Sequence, residues 1–67
     1  MADVLRNLVV NGGSAKLDSF VSAEMENGDL VVTVRRAYED QGIEMCFSNL
    51  DPEDCEEVAE EIAYAAA

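Results

Sequence analysis

The dipeptide Asn27-Gly28 is the feature that most restricts the fold of this chain. A two-residue type I′ turn needs positive φ at both central positions, and Asn followed by Gly meets this need well. Folding the chain about it produces the apolar pairs Met25–Leu30, Ala23–Val32 and Val21–Val34 on one face, with Glu24–Val31 and Ser22–Thr33 on the other. A one-residue slip would exchange the two faces, so the pattern predicts a hairpin of fixed register.

A second turn signal, Asp40-Gln41-Gly42, predicts a third strand. A four-residue loop over 39–42 places Val34 opposite Phe47 and Tyr38 opposite Ile43. The alternate residues of the third strand then share the apolar face of the hairpin. The predicted strands are 17–26, 29–38 and 43–48.

The C-terminal segment carries the signals of a helix over 52–65. Asp51 is a favourable N-cap, and Pro52 suits the first helical position. Apolar residues follow at spacings of three and four and predict one stripe lying across the sheet: Cys55, Val58, Ala59, Ile62 and Ala66.

The N-terminal segment permits two interpretations. Apolar residues over 3–10 fall at helical spacing, and Gly12-Gly13 resembles a helix C-cap. The run Leu8-Val9-Val10 is also typical of a strand. With a short N-terminal helix, the predicted fold is α+β in the order αβββα, a three-stranded antiparallel sheet with both helices on one face. At 67 residues, we expect one compact domain over 1–67.

Composition excludes several classes of function. Fifteen Asp and Glu against four Lys and Arg give a formal charge of −11, which opposes direct binding to nucleic acid or to anionic membranes. The chain contains no His, so imidazole catalysis is impossible, and we expect no enzyme, no cofactor and no metal site. Neither a membrane span nor a signal peptide is visible, which favours a soluble cytoplasmic protein. The expected partner is a basic protein.

Clustered carboxylates are the candidate binding residues. Six of them on the predicted helix would give about one charge per 2 Å of axis at a rise of ~1.5 Å per residue, close to the ~1.7 Å of duplex DNA. Others at the hairpin end could extend this surface. The candidate partner-binding residues are Glu53, Asp54, Glu56, Glu57, Glu60, Glu61, Glu24, Glu26 and Asp29.

Two other interpretations of the acidity stay open. One is an ordinary acidic interaction module that uses the outer face of the sheet, where Phe20, Val31 and Arg35 could also support self-association as a homodimer. The other is salt adaptation of a small protein of unrelated function. Residues 51–61 hold seven acids, whereas residues 4–17 hold only basic charge, and this clustering favours a dedicated face.

Small size, strong negative charge, clustered acids and the absence of catalytic groups together resemble a class of proteins. This class is the small acidic phage-encoded inhibitors of host defence, including anti-CRISPR and anti-restriction proteins that mimic DNA. The resemblance implies a stoichiometric blocker that occupies a Lys/Arg-lined nucleic-acid channel on a defence or regulatory complex in the host cytoplasm.

Overall fold

The computed structural model describes residues 1–35 and 42–67, which form two α-helices and four strands. The helices are α1, Ala2–Asn11, and α2, Cys55–Ala66, and a 3₁₀ turn at Pro52–Asp54 leads into α2. One antiparallel sheet has the strand order β1-β2-β3-β4, with bounds Ser14–Asp18, Val21–Glu26, Asp29–Val34 and Ile43–Phe47. The α+β class is confirmed, but the sheet has four strands where three were predicted.

The hairpin β2–β3 has the predicted register. Met25 pairs with Leu30, and the alternate pairs continue to Val21–Val34. Asn27 and Gly28 have φ values of 52° and 86°, as a type I′ turn requires. The apolar members of these pairs face the core, so local turn chemistry and the burial pattern select the same register.

The predicted strand 17–26 is wrong, because the chain reverses within it. A turn at Ser19-Phe20 divides this segment into β1 and β2, and the β1 register shifts between Lys16 and Asp18. The Ser19 N–H donates to the Asp18 carboxylate, which stabilises the turn. The order is therefore αββββα.

The predicted register of the last strand is also wrong, by four residues. Val34 lies opposite Ile43, and Leu30 lies opposite Phe47. Strand β3 ends at Val34, while the predicted extension to 36–38 and most of the predicted loop 39–42 fall outside the described residues. A four-residue shift is even and preserves the face of every side chain, so the apolar alternation alone could not reveal the error.

The N-terminal segment is helical. Helix α1 ends where Gly12 adopts a φ of 79°, and the Gly12 N–H donates to the Leu8 carbonyl over 2.7 Å. Leu5 and Leu8 are its buried residues. Their spacing of three places both on the side that faces the sheet.

The C-terminal helical segment begins at Pro52 as predicted, but its first turn, Pro52–Asp54, is 3₁₀ and the α-helix starts at Cys55. The Asp51 side chain accepts a hydrogen bond from the Glu53 N–H over 3.5 Å, and Pro52 follows the cap. Cys55, Val58 and Ile62 are buried, whereas Ala66, predicted to face the sheet, is exposed.

Both helices cover the same face of the sheet. Helix α1 packs against α2 and the 3₁₀ turn and covers β1 and β2, and α2 covers β3. The buried residues form one cluster: Leu5, Leu8, Val21, Ala23, Leu30, Val32, Val34, Cys55, Val58 and Ile62. Neither edge strand, β1 or β4, has a fully buried residue. Helix α1 packs on β1, whereas neither described helix packs extensively on β4, so the β4 edge is the less covered of the two.

Neither α-helix in the described part of the chain is long and apolar enough to cross a membrane.

We expect the substitution Gly28→Ala to destabilise the protein. A Cβ at this position meets open space, so the cost comes from the positive φ alone and amounts to about 1 kcal/mol. Asn27→Gly is the matched control, because glycine also adopts positive φ and should change stability by less than about 0.5 kcal/mol. Urea unfolding of the three proteins measures both effects. Equal midpoints for Gly28→Ala and the unsubstituted protein would contradict the type I′ assignment.

Candidate functional site: the acidic face of α2

The apolar stripe of α2 determines where its carboxylates lie. Because Cys55, Val58 and Ile62 point into the core, the intervening positions must point to solvent. All six acidic residues of the 3₁₀ turn and α2 are exposed: Glu53, Asp54, Glu56, Glu57, Glu60 and Glu61. We call this set the α2 acidic face.

Among the described residues, one cation neutralises part of this face. Arg6 of α1 makes both ion pairs found in residues 1–35 and 42–67, to Glu56 over 3.2 Å and to Asp3 over 2.8 Å. The Glu56 pair joins the two helices, but both carboxylates are well exposed, so it adds little to stability. Five of the six acids on the α2 acidic face therefore have no ion pair within the described residues.

The structure does not bring the other candidate acids to the α2 acidic face. Glu24 lies on the outer face of the sheet, between Ser14 and Val31, and Glu26 and Asp29 flank the hairpin turn on that same face. The helices cover the inner face. The nine candidate residues thus divide between the two opposite layers of the protein.

The outer face of the sheet carries charges of both signs, and Glu44 lies opposite Thr33 near the end that holds the cations. Phe20 is 50% exposed, and its carbonyl accepts a hydrogen bond from the Arg35 N–H over 2.7 Å. Lys16, Phe20 and Arg35 help to line a shallow cavity of about 230 Å³ at one end of this face, and Glu24, Glu26 and Asp29 lie toward the other end. Val31 is half-buried near the middle, opposite Cys46.

Sequence reasoning missed a groove between α2 and β4. Its volume is about 550 Å³, and it is lined by Met45, Glu57, Glu60, Glu61, Tyr64 and Ala65. The Tyr64 residue is 86% exposed. Helical spacing places Tyr64 on the same side of α2 as Glu57 and Glu61, so the sequence could have indicated this part of the groove. That Met45 forms the floor of the groove follows only from the observed β4 register and from the position of α2 over β3.

The two cysteines are free thiols with contrasting surroundings. Cys46 is exposed on the outer face, whereas Cys55, the first residue of α2, is buried in the core. Burial raises the pKa of the Cys55 thiol; Arg6 opposes this shift, and Asp54 and Asp51 add to it. The Cys55 thiol therefore stays protonated at neutral pH, which makes it a packing residue and a poor nucleophile.

Metal coordination has no preformed arrangement in the described residues. No group of three or more His, Cys, Asp and Glu side chains there converges on one point. The helix carboxylates diverge into solvent, so they act as separate charges, suited to a partner with several cations.

Comparison with protein-family models, with curated proteins and with solved structures found no significant match to this chain.

The difference between the thiols predicts their reactivity. At neutral pH and without denaturant, a thiol reagent such as 5,5′-dithiobis(2-nitrobenzoate) should modify Cys46 rapidly and Cys55 only as fast as the protein opens. Cys46→Ser should remove the fast phase of the reaction, and denaturant should make the slow reaction of Cys55 fast. Rapid modification of both thiols in the folded protein would contradict the buried position of Cys55.

Repulsion within the α2 acidic face predicts a stabilising substitution. Glu57 and Glu61 are like charges at i,i+4, so Glu57→Gln/Glu61→Gln should raise the free energy of unfolding by about 0.2–0.5 kcal/mol at low salt. Sodium chloride at 0.5 M should reduce this gain by screening. Glu56→Gln is the control, because it also breaks the Arg6 ion pair and should give less gain. A loss of stability in the double variant would show that these carboxylates make favourable contacts.

Proposed function

We propose that this protein is a non-enzymatic inhibitor that presents the α2 acidic face to a basic nucleic-acid-binding protein and excludes nucleic acid from it. The proposal rests on six exposed carboxylates that are concentrated on α2 and the 3₁₀ turn before it. Within the described residues, only one of these carboxylates, Glu56, makes an ion pair. A surface of one sign attracts a partner of the opposite sign.

Charge spacing supports mimicry of a phosphate backbone. The α2 acidic face spans nine residues, from Glu53 to Glu61. At rises of ~2.0 Å per residue in the 3₁₀ turn and ~1.5 Å in α2 this is about 13 Å, or roughly one charge per 2 Å. Duplex DNA carries one per ~1.7 Å of axis, so a cationic channel shaped for DNA meets a similar linear density here.

The placement of the cations gives further support. Lys16 and Arg35 lie on the outer face of the sheet, away from the α2 acidic face, and Arg6 lies beside one end of it. The negative field of the helix layer is therefore weakly compensated by the described cations. Acids lie on both layers, but on the outer face they are accompanied by Lys16 and Arg35, whereas the α2 acidic face has only Arg6 beside it among the described cations.

The proposed partner is a nucleic-acid-handling complex, and a bacterial defence effector in the cytoplasm fits the resemblance to phage-encoded inhibitors. Carboxylates would pair with Lys and Arg that otherwise hold phosphates. Association would be fast and strongly salt-dependent because the interface relies on charge. The outer face, with Phe20, Val31 and Arg35, is the alternative site for a partner or for a second copy.

Substitution of the carboxylates tests the proposal. Single Glu→Gln changes should each weaken binding by only about two- to fivefold, because the attraction is shared over several pairs. The fourfold variant Glu56→Gln/Glu57→Gln/Glu60→Gln/Glu61→Gln should lose the partner while keeping its circular dichroism spectrum. Affinity capture from a bacterial lysate, followed by a gel-shift assay on each captured protein, measures both binding and competition.

The matched control is Phe20→Ala, which alters the outer face and leaves every carboxylate in place. We expect this variant to capture the same nucleic-acid-binding protein as the unsubstituted chain. Loss of the partner in Phe20→Ala alone would move the interface to the outer face. A captured protein that keeps its full affinity for nucleic acid when saturated would contradict inhibition by charge mimicry.

A further inference from the structure

The groove between α2 and β4 has a feature that a uniform acidic surface lacks, namely an apolar floor beside an open strand edge. Met45 is half-buried there, and the neighbouring inward-facing residue Ile43 is 42% exposed. Helix α2 packs over β3, one strand further in. The inner side of β4 therefore keeps apolar surface that the helix does not cover.

The two edge strands of the sheet differ in how they resist further pairing. Strand β1 carries an irregularity between Lys16 and Asp18, and an irregular, charged edge disfavours the addition of a strand. Strand β4 pairs regularly with β3 from Ile43 to Phe47 and contains no Pro. Within the described sheet it is the last strand, so its outward backbone groups have no neighbouring strand.

Three carboxylates complete the groove. Glu57, Glu60 and Glu61 line it, and neither of the two ion pairs in the described residues involves them. A basic side chain matches this combination of surfaces, because the aliphatic stem of Lys or Arg covers apolar area while its charged end reaches a carboxylate. The charge complementarity is thus combined with an apolar contact.

We propose that this groove binds an extended basic segment of the partner, which adds to the sheet as a fifth strand beside β4. Every second residue of the added strand faces α2, so Lys or Arg at these positions lays its stem over Met45 and pairs with Glu57 or Glu61. Main-chain hydrogen bonds to β4 supply affinity, and the alternation of basic residues supplies specificity. This inference rests on the proposed function and specifies the element of the basic partner that is recognised.

Synthetic peptides test the groove without the partner itself. The probe is a ten-residue peptide in which Lys and Thr alternate. Its control has the same composition, with five Lys followed by five Thr. The alternating peptide should bind about tenfold more tightly, because only it places its cations on one side of a strand. Amide chemical shifts of the ¹⁵N-labelled protein should change along β4 and at Glu57, Glu61 and Tyr64.

Two charge-matched variants separate the groove from the general acidic field. Glu57→Gln/Glu61→Gln removes two charges that line the groove, and Glu53→Gln/Asp54→Asn removes two that lie outside it. We expect the first pair to weaken the alternating peptide at least fivefold more than the second. Circular dichroism confirms that both variants fold.

A peptide with N-methyl groups on alternate backbone amides tests the strand pairing, since it keeps the charge and loses main-chain donors. It should bind no better than the block peptide. Equal affinities for all three peptides, equal effects of the two variants, shifts confined to the outer face, or no binding would each overturn the groove inference. The proposed function is tested separately by the gel-shift assay on a captured partner. The outcome of that assay does not depend on how these peptides bind.

Discussion

Packing of α2 against β3 is the contact on which the remaining surface features depend. The buried residues of α2, Cys55, Val58 and Ile62, belong to one apolar cluster with residues of β3 and α1, the two elements on which α2 packs. A 67-residue chain has little apolar surface to spare, so this one cluster must supply nearly all of the hydrophobic stabilisation. Since the stripe fixes the rotation of α2, the same contact fixes the direction of its carboxylates and leaves β4 at an uncovered edge.

Charge repulsion opposes this packing. Like charges at i,i+3 and i,i+4 each cost a few tenths of a kcal/mol, roughly 0.2–0.5, and the described structure offsets them with Arg6 alone on this side of the protein. A domain with a small core gains nothing in stability from such a face. In the proposed complex, the cations of the partner would convert this repulsion into attraction.

Sequence reasoning succeeded where local chemistry decides the structure. Asn27-Gly28 determined a turn and its register, and Asp51-Pro52 determined the start of the C-terminal helix. It failed where two arrangements of the chain have the same alternation of apolar and polar residues. The turn at Ser19-Phe20 contains neither Gly nor Pro to mark it. The shift of β4 by four residues leaves its apolar alternation unchanged. The exposed acids of α2 follow from helical spacing, whereas the groove beside Met45 requires the tertiary position of α2.

Displacement of nucleic acid from a captured partner is the direct test of charge mimicry by the α2 acidic face. A captured partner is first loaded with a fluorescently labelled duplex or single strand, and the anisotropy of the label is followed as this protein is added. If the α2 acidic face occupies the nucleic-acid site, the label is released at about one protein per binding site. We also expect 0.5 M sodium chloride to weaken the competition and the fourfold Gln variant to release no label. A stable ternary complex, with the anisotropy rising as the protein binds beside the nucleic acid, would contradict competition for the nucleic-acid site.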